Sequence, residues 1–158
     1  MYMQLCKNCR YMYHSNTRVP CLCCDSNSLT IPCSGNLVDV TNKLFDLSLE
    51  VISSCCEIYY LQDSSGKTVQ LTLELGSLYP DEMFYELPPE WSTYVYHSII
   101  DNSIGLKCTG LTHSESFIPL DEDELEFATA LTISNLELWL DNRDPDAFWS
   151  VWRLYGAI

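Results

Sequence analysis

Apolar positions change period several times along this chain, and each change predicts an element. From Asn36 onward, Leu37, Val40, Leu44, Leu47 and Val51 recur three and four apart, predicting an amphipathic helix over residues 36–53. Ser34 or Asn36 is placed to cap it, and Asp39 falls in its first turn. Two strand-like runs follow, Glu57 to Leu61 and Thr68 to Leu75, separated by Asp63-Ser64-Ser65-Gly66. They predict a β-hairpin with Val69, Leu71, Leu73 and Leu75 on one face. Pro80-Asp81-Glu82 opens a short helix through Tyr85, and Pro88-Pro89 closes it. Thr93 to Ile100 reads as a strand, and residues 105–120 as one or two short strands around Cys108 and Phe117. Asp121 with Glu124 three positions on is a capping-box pattern, predicting a helix to about Leu140. Leu125, Ala128, Leu131 and Leu138 are its expected core positions. Asp144-Pro145 starts a last helix whose Phe148, Trp149, Trp152 and Tyr155 crowd more than one face. Core burial is the first reading of those aromatics, and a homodimer contact is the second.

The first 24 residues obey no such period. They hold two C-x-x-C pairs, Cys6 with Cys9 and Cys21 with Cys24. Thiolates three positions apart grip one metal from a tight turn, and two such turns supply four soft tetrahedral ligands. We therefore expect Cys6, Cys9, Cys21 and Cys24 to bind one structural Zn²⁺, with Cys23 or His14 as candidate replacements. The expected fold is α+β. A zinc ribbon or knuckle over residues 1–33 leads into a body over 34–158, with a hairpin-containing antiparallel sheet and about three helices.

Composition narrows the setting. Apolar residues make up 47% of the 158, enough for a real core. No apolar run reaches membrane-spanning length, and the N-terminus lacks a signal-peptide run. We expect a protein of the reducing cytoplasm, where nine cysteines mean free thiols and a metal site. Charge is uneven. The first 24 residues carry Lys7, Arg10 and Arg18 and no acid, whereas residues 74–146 carry sixteen acids against Lys107 and Arg143. The dense, cation-poor clusters are Glu74, Asp81, Glu82, Glu86 and Glu90, then Asp121, Glu122, Asp123, Glu124 and Glu126. Such a surface repels nucleic acid and steers toward basic partners.

Other motifs have plainer explanations. Ser65-Gly66-Lys67-Thr68 ends like a phosphate-binding loop, but its first glycine would fall at Leu61, so a hairpin turn is the expectation. The 121–126 acids lack the alternating ligands and central glycine of a calcium loop. Cys55-Cys56 has no adjacent base in sequence, which favours packing over nucleophilic chemistry.

Residues 36–75 run helix, Ser54-Cys55-Cys56, hairpin, with Leu87-Pro88-Pro89-Glu90-Trp91 later. That order resembles small phage and bacterial zinc-knuckle proteins related to the wybutosine-synthesis tRNA methyltransferase family. Where that pattern has glycine and histidine after the cysteine, this chain has Cys56, Glu57 and Ile58. The resemblance implies an architecture and a phage-like setting, and no active site.

The expected function is a non-enzymatic acidic protein that binds and inhibits a basic, nucleic-acid-handling partner, such as a host nuclease or polymerase. Its carboxylates would stand in for phosphates. One alternative is an RNA-binding or tRNA-modification-related enzyme, or its remnant. The other is a zinc-ribbon nucleic-acid-binding protein acting through Arg10, Arg18, Tyr11 and Tyr13.

Overall fold

The computed structural model describes residues 3–15, 20–24, 30–60, 66–98, 105–117 and 122–155. The chain is α+β. A small antiparallel sheet, ordered β2-β1-β3, is built from β1 (Met3–Leu5), β2 (Met12–His14) and β3 (Ile31–Pro32). A larger antiparallel sheet, ordered β4-β5-β7-β6, is built from β4 (Val51–Tyr60), β5 (Lys67–Leu75), β6 (Ser92–Ser98) and β7 (Leu106–Phe117). The helices are α1 (Val38–Asp46), α2 (Glu122–Asp141) and α3 (Pro145–Tyr155).

The β4–β5 hairpin forms as its alternation predicts. Val69, Leu71, Leu73 and Leu75 all point into the core, while Gln70, Thr72 and Glu74 point the other way. Asp63, Ser64 and Ser65 of the turn lie outside the described residues, while Lys67 and Thr68 of the phosphate-loop look-alike already belong to β5. Each fully buried leucine contributes about 1.5–3 kcal/mol, so the clean period of β5 fixes which sheet face is inward. That face packs against α1 and α2, with Leu37, Val40, Leu44, Leu111 and Leu136 in one buried cluster. Leu5 and Ile31 of the cysteine-rich head join the same cluster.

The first predicted helix is shorter than its periodicity suggested. It ends at Asp46, and Val51 already lies in β4, so Cys55-Cys56 sits mid-strand. The reason is a Schellman cap. Ser48 adopts a left-handed φ of 62°, its amide donates to the Phe45 carbonyl (2.8 Å), and the Leu49 amide donates to Leu44 (3.1 Å). Leu49 and Leu44, both fully buried, close the motif's apolar contact. Ser34 does not cap the helix. Its hydroxyl accepts the Cys56 amide (2.9 Å), and its own amide donates to the Ser54 carbonyl (2.8 Å), joining the head to the middle of β4.

Residues 106–117 form one twelve-residue strand, because β7 is paired on both sides, by β5 and by β6. The segment at Asp81 is a single 3-10 turn ending at Phe84. In α2, Leu125, Ile133, Leu136, Trp139 and Leu140 are buried, whereas Leu131 and Leu138, expected inside, are 52% and 61% exposed. The helix is apolar on two sides, so period alone did not choose its inward face. Indole bonds fix the rotation: Trp91 Nε1 donates to the Thr132 carbonyl (3.0 Å), and Trp139 Nε1 to that of Tyr85 (3.1 Å). The predicted cap Asp121 lies outside the described residues. Helix α3 starts as predicted, with the Asp146 amide donating to Asp144 Oδ1 (3.1 Å). It docks through buried Phe148 and the indole of Trp149, which donates to the Leu47 carbonyl (2.7 Å).

Candidate metal centre and the open sheet face

The two knuckles face one another. Cys6 to Cys9 follows β1, and the chain reverses there because Arg10 takes a left-handed φ of 65°. The Arg10 amide then donates to the Cys6 carbonyl, and the Cys6 amide to that of Tyr11, both at 3.0 Å. The sulfurs of Cys6, Cys9, Cys21 and Cys24 lie within 4.8 Å of one another, a group able to hold a metal ion. Cys6 Sγ is 3.8 Å from Cys24 Sγ, and Cys9 Sγ is 3.6 Å from Cys21 Sγ. A tetrahedron with metal–sulfur bonds of about 2.3 Å has edges of about 3.8 Å, so the donor set fits. Cys23 and His14 lie outside the group.

One side chain and one backbone amide tune its surroundings. Asn8 Nδ2 donates to Cys24 Sγ (3.4 Å), the kind of contact that orients a ligand. The Tyr11 amide favours the Cys9 thiolate, but lost hydration and the crowding Cys21, Cys6 and Cys24 thiols outweigh it and push Cys9 up to about 12. Four thiolates at this spacing need a cation between them.

The basic loop is held by the body. Arg10 Nη1 donates to the Asn42 carbonyl (2.9 Å), Nη2 pairs with Asp46 (2.9 Å), and the guanidinium lies 5.0 Å from the Phe45 ring centre. That clamp fixes the head against α1 and takes Arg10 away from phosphate contact. Arg18 lies outside the described residues, and Tyr11 stacks on Tyr13 at 6.0 Å.

Cys33, Cys55 and Cys108 are not poised as nucleophiles. Burial pushes the Cys33 thiol up to about 11, and burial followed by Glu57 and Glu74 raises Cys55. Burial likewise raises Cys108. His113, a distant candidate base, is held between the Glu90 carbonyl (2.7 Å from Nδ1) and Glu115 (3.4 Å from Nε2).

The predicted partner-binding acids are scattered. Asp81 accepts from Thr93 (3.1 Å), and Glu90 from Asn135 (3.0 Å). Glu82 and Glu86 are exposed nearby, and Asp123, Glu124 and Glu126 are exposed at the start of α2. Asp121 and the Glu122 side chain lie outside the described residues. Glu74 points to the opposite face of the hairpin from Glu126.

Sequence reasoning missed the outer face of the large sheet. There the alternating residues Ser53, Cys55, Glu57 and Tyr59 of β4 meet Gln70, Thr72 and Glu74 of β5, Thr112 of β7 and Tyr94 of β6. They line an open groove of about 490 Å³. Tyr94 lies flat on the sheet because Gly110 beneath it has no Cβ, which would overlap the ring. Burial first, then Glu74 and Cys55, push the Tyr94 hydroxyl up to about 12, so it stays a neutral donor. Ser53 donates to Glu74 (2.9 Å), and Tyr59 to Glu57. Only the alternation of β5 hinted at it, because its outward Gln70, Thr72 and Glu74 are polar while no described helix covers them.

No family model, curated protein or solved structure matches this chain. No helix among the described residues is long and apolar enough to cross a membrane.

Proposed function

We propose that this is a non-enzymatic, acidic interaction protein that binds a basic, nucleic-acid-handling protein and blocks its channel. The observation that carries the reading is the open sheet face. Its groove combines the Glu57 and Glu74 carboxylates with the Tyr59 and Tyr94 rings, and no Lys or Arg among the described residues lines it. Carboxylates beside aromatic faces suit guanidinium and ammonium groups. The chain's formal charge of −14 adds long-range attraction to a basic channel. The cysteine cluster takes Zn²⁺ as a structural ion, since four thiolates fill a tetrahedral shell and leave no position for substrate. The phage-type inhibitor setting and a cytoplasmic place of action belong to this same reading.

The test is binding to a panel of purified nucleases and polymerases, with duplex DNA as competitor. A bound partner is released by DNA and by moderate salt, because screening shortens the reach of exposed charges to about 10 Å at 0.1 M. Replacing both Glu57 and Glu74 with Gln weakens the complex. Binding that ignores salt, DNA and both substitutions refutes the proposal.

A further inference from the structure

A second groove, of about 730 Å³, opens on the opposite face of the hairpin, between the end of β4 and α2. Its floor is apolar, with Ile58 and Tyr60 of β4 facing Leu125, Ala130 and Ile133 of α2. Ile58 is 51% exposed and Tyr60 74%, unusual for large apolar side chains that face a helix.

The strand edge beside this floor is half used. Residues of an antiparallel strand alternate between facing one neighbour and facing the other. The Ser54 carbonyl and Cys56 amide face away from β5, because they bond Ser34. By the same alternation, the amides and carbonyls of Ile58 and Tyr60 face outward. No partner for them exists among the described residues, since β4 is the sheet edge and its cover ends at Ser34.

The helical wall has one sign. Glu126 and Glu137 line the groove, and α2 has no Lys, Arg or His from Glu122 to Asp141. Lys67, stacked on the Tyr60 ring at 5.2 Å, is the one cation in the lining among the described residues. A second copy would bring like-charged helices together, which the chain's charge opposes.

We infer that this groove receives an extended, basic segment of a partner protein, which adds to β4 beside Ile58 and Tyr60 and seats alternate apolar side chains against α2. Backbone bonds to the edge give affinity, and alternate side chains give specificity. Lysines or arginines two positions before and after the apolar pair, and so on the same face of the strand, meet Glu126 and Glu137. The site lies across the sheet from the Glu57–Glu74 face and stands independently of the function proposed for it.

The probe is a synthetic octapeptide with lysine, valine, valine and lysine at positions 1, 3, 5 and 7, all on one face, and threonine between them, titrated against the full chain by fluorescence anisotropy at low salt. Three comparisons decide. The same peptide with glutamate in place of both lysines binds at least about tenfold more weakly. A peptide N-methylated on alternate amides loses about tenfold or more, because it cannot donate to the edge. Glu126→Lys with Glu137→Lys weakens the parent peptide by about tenfold, while Glu74→Gln leaves it unchanged. Ile58→Pro removes one outward donor at a position where an edge strand tolerates proline, and it acts in the same direction. The inference is overturned by equal binding of the acidic peptide, by indifference to N-methylation, or by absence of binding. It is also overturned by self-association that Ile58→Pro abolishes, which would make a second copy the occupant.

Discussion

Replacing Cys9 by Ser isolates the metal centre from the packing around it. Cys6 and Cys21 are buried, so substitutions there would also disturb the core, but Cys9 is exposed. Its sulfur lies 3.6 Å from that of Cys21, one edge of the tetrahedron, and no other thiol replaces it. The cost follows in two ways. A structural ion held at a thousandfold above its Kd stabilises by about 4 kcal/mol. Releasing the head would expose Leu5 and Ile31, worth about 1.5–3 kcal/mol each, or about 3–6 kcal/mol together. A chain of this length shifts its Tm by about 2–4 °C per kcal/mol, so Cys9→Ser lowers Tm by about 10 °C. Elemental analysis finds about one tightly held metal per wild-type chain and much less in the variant. Cys23→Ser, one residue from a ligand but outside the group, keeps both metal and Tm. The reasoning is refuted if Cys9→Ser retains stoichiometric metal with an unchanged Tm, or if Cys23→Ser loses it.

Three further outcomes follow from the packing. Leu136→Ala empties a fully buried site and costs about 2–5 kcal/mol in denaturant unfolding, whereas Leu138→Ser, two positions on, stays within about 0.5 kcal/mol. Ser48→Gly relieves a left-handed serine at the α1 cap and raises stability by about 1 kcal/mol, read from the urea midpoint. Burial, opposed by Lys43 and assisted by Asp39 and Asp141, raises the folded-state pKa of Glu137 above its ordinary 4.5, so its ionised form opposes folding. Glu137→Gln therefore stabilises at neutral pH, and the gain fades as pH falls through the folded pKa and the wild-type side chain protonates; thermal melts from pH 7 down to about pH 4 check the sign.

The strict alternation from Val69 to Leu75 determined β5 and its inward face, because a one-residue slip would turn four buried side chains to water. The doubled C-x-x-C spacing determined the cysteine cluster, since short turns leave each thiol pair few places to go. Asp144-Pro145 likewise determined where α3 begins. Tertiary structure decided the rest. Leu47 and Val51 continue a helical period, yet the Ser48 cap ends the helix, because a buried Leu44–Leu49 contact and a pairing partner for β4 outweigh local periodicity. Leu131 and Leu138 match an inward stripe as well as Ile133 and Leu136 do, and indole bonds to Thr132 and Tyr85 selected the latter face. The two grooves were illegible for the same reason. Each joins residues from separate elements, and pairing Glu57 with Gln70, or Ile58 with Ile133, depends on register and helix docking that one-dimensional spacing does not contain.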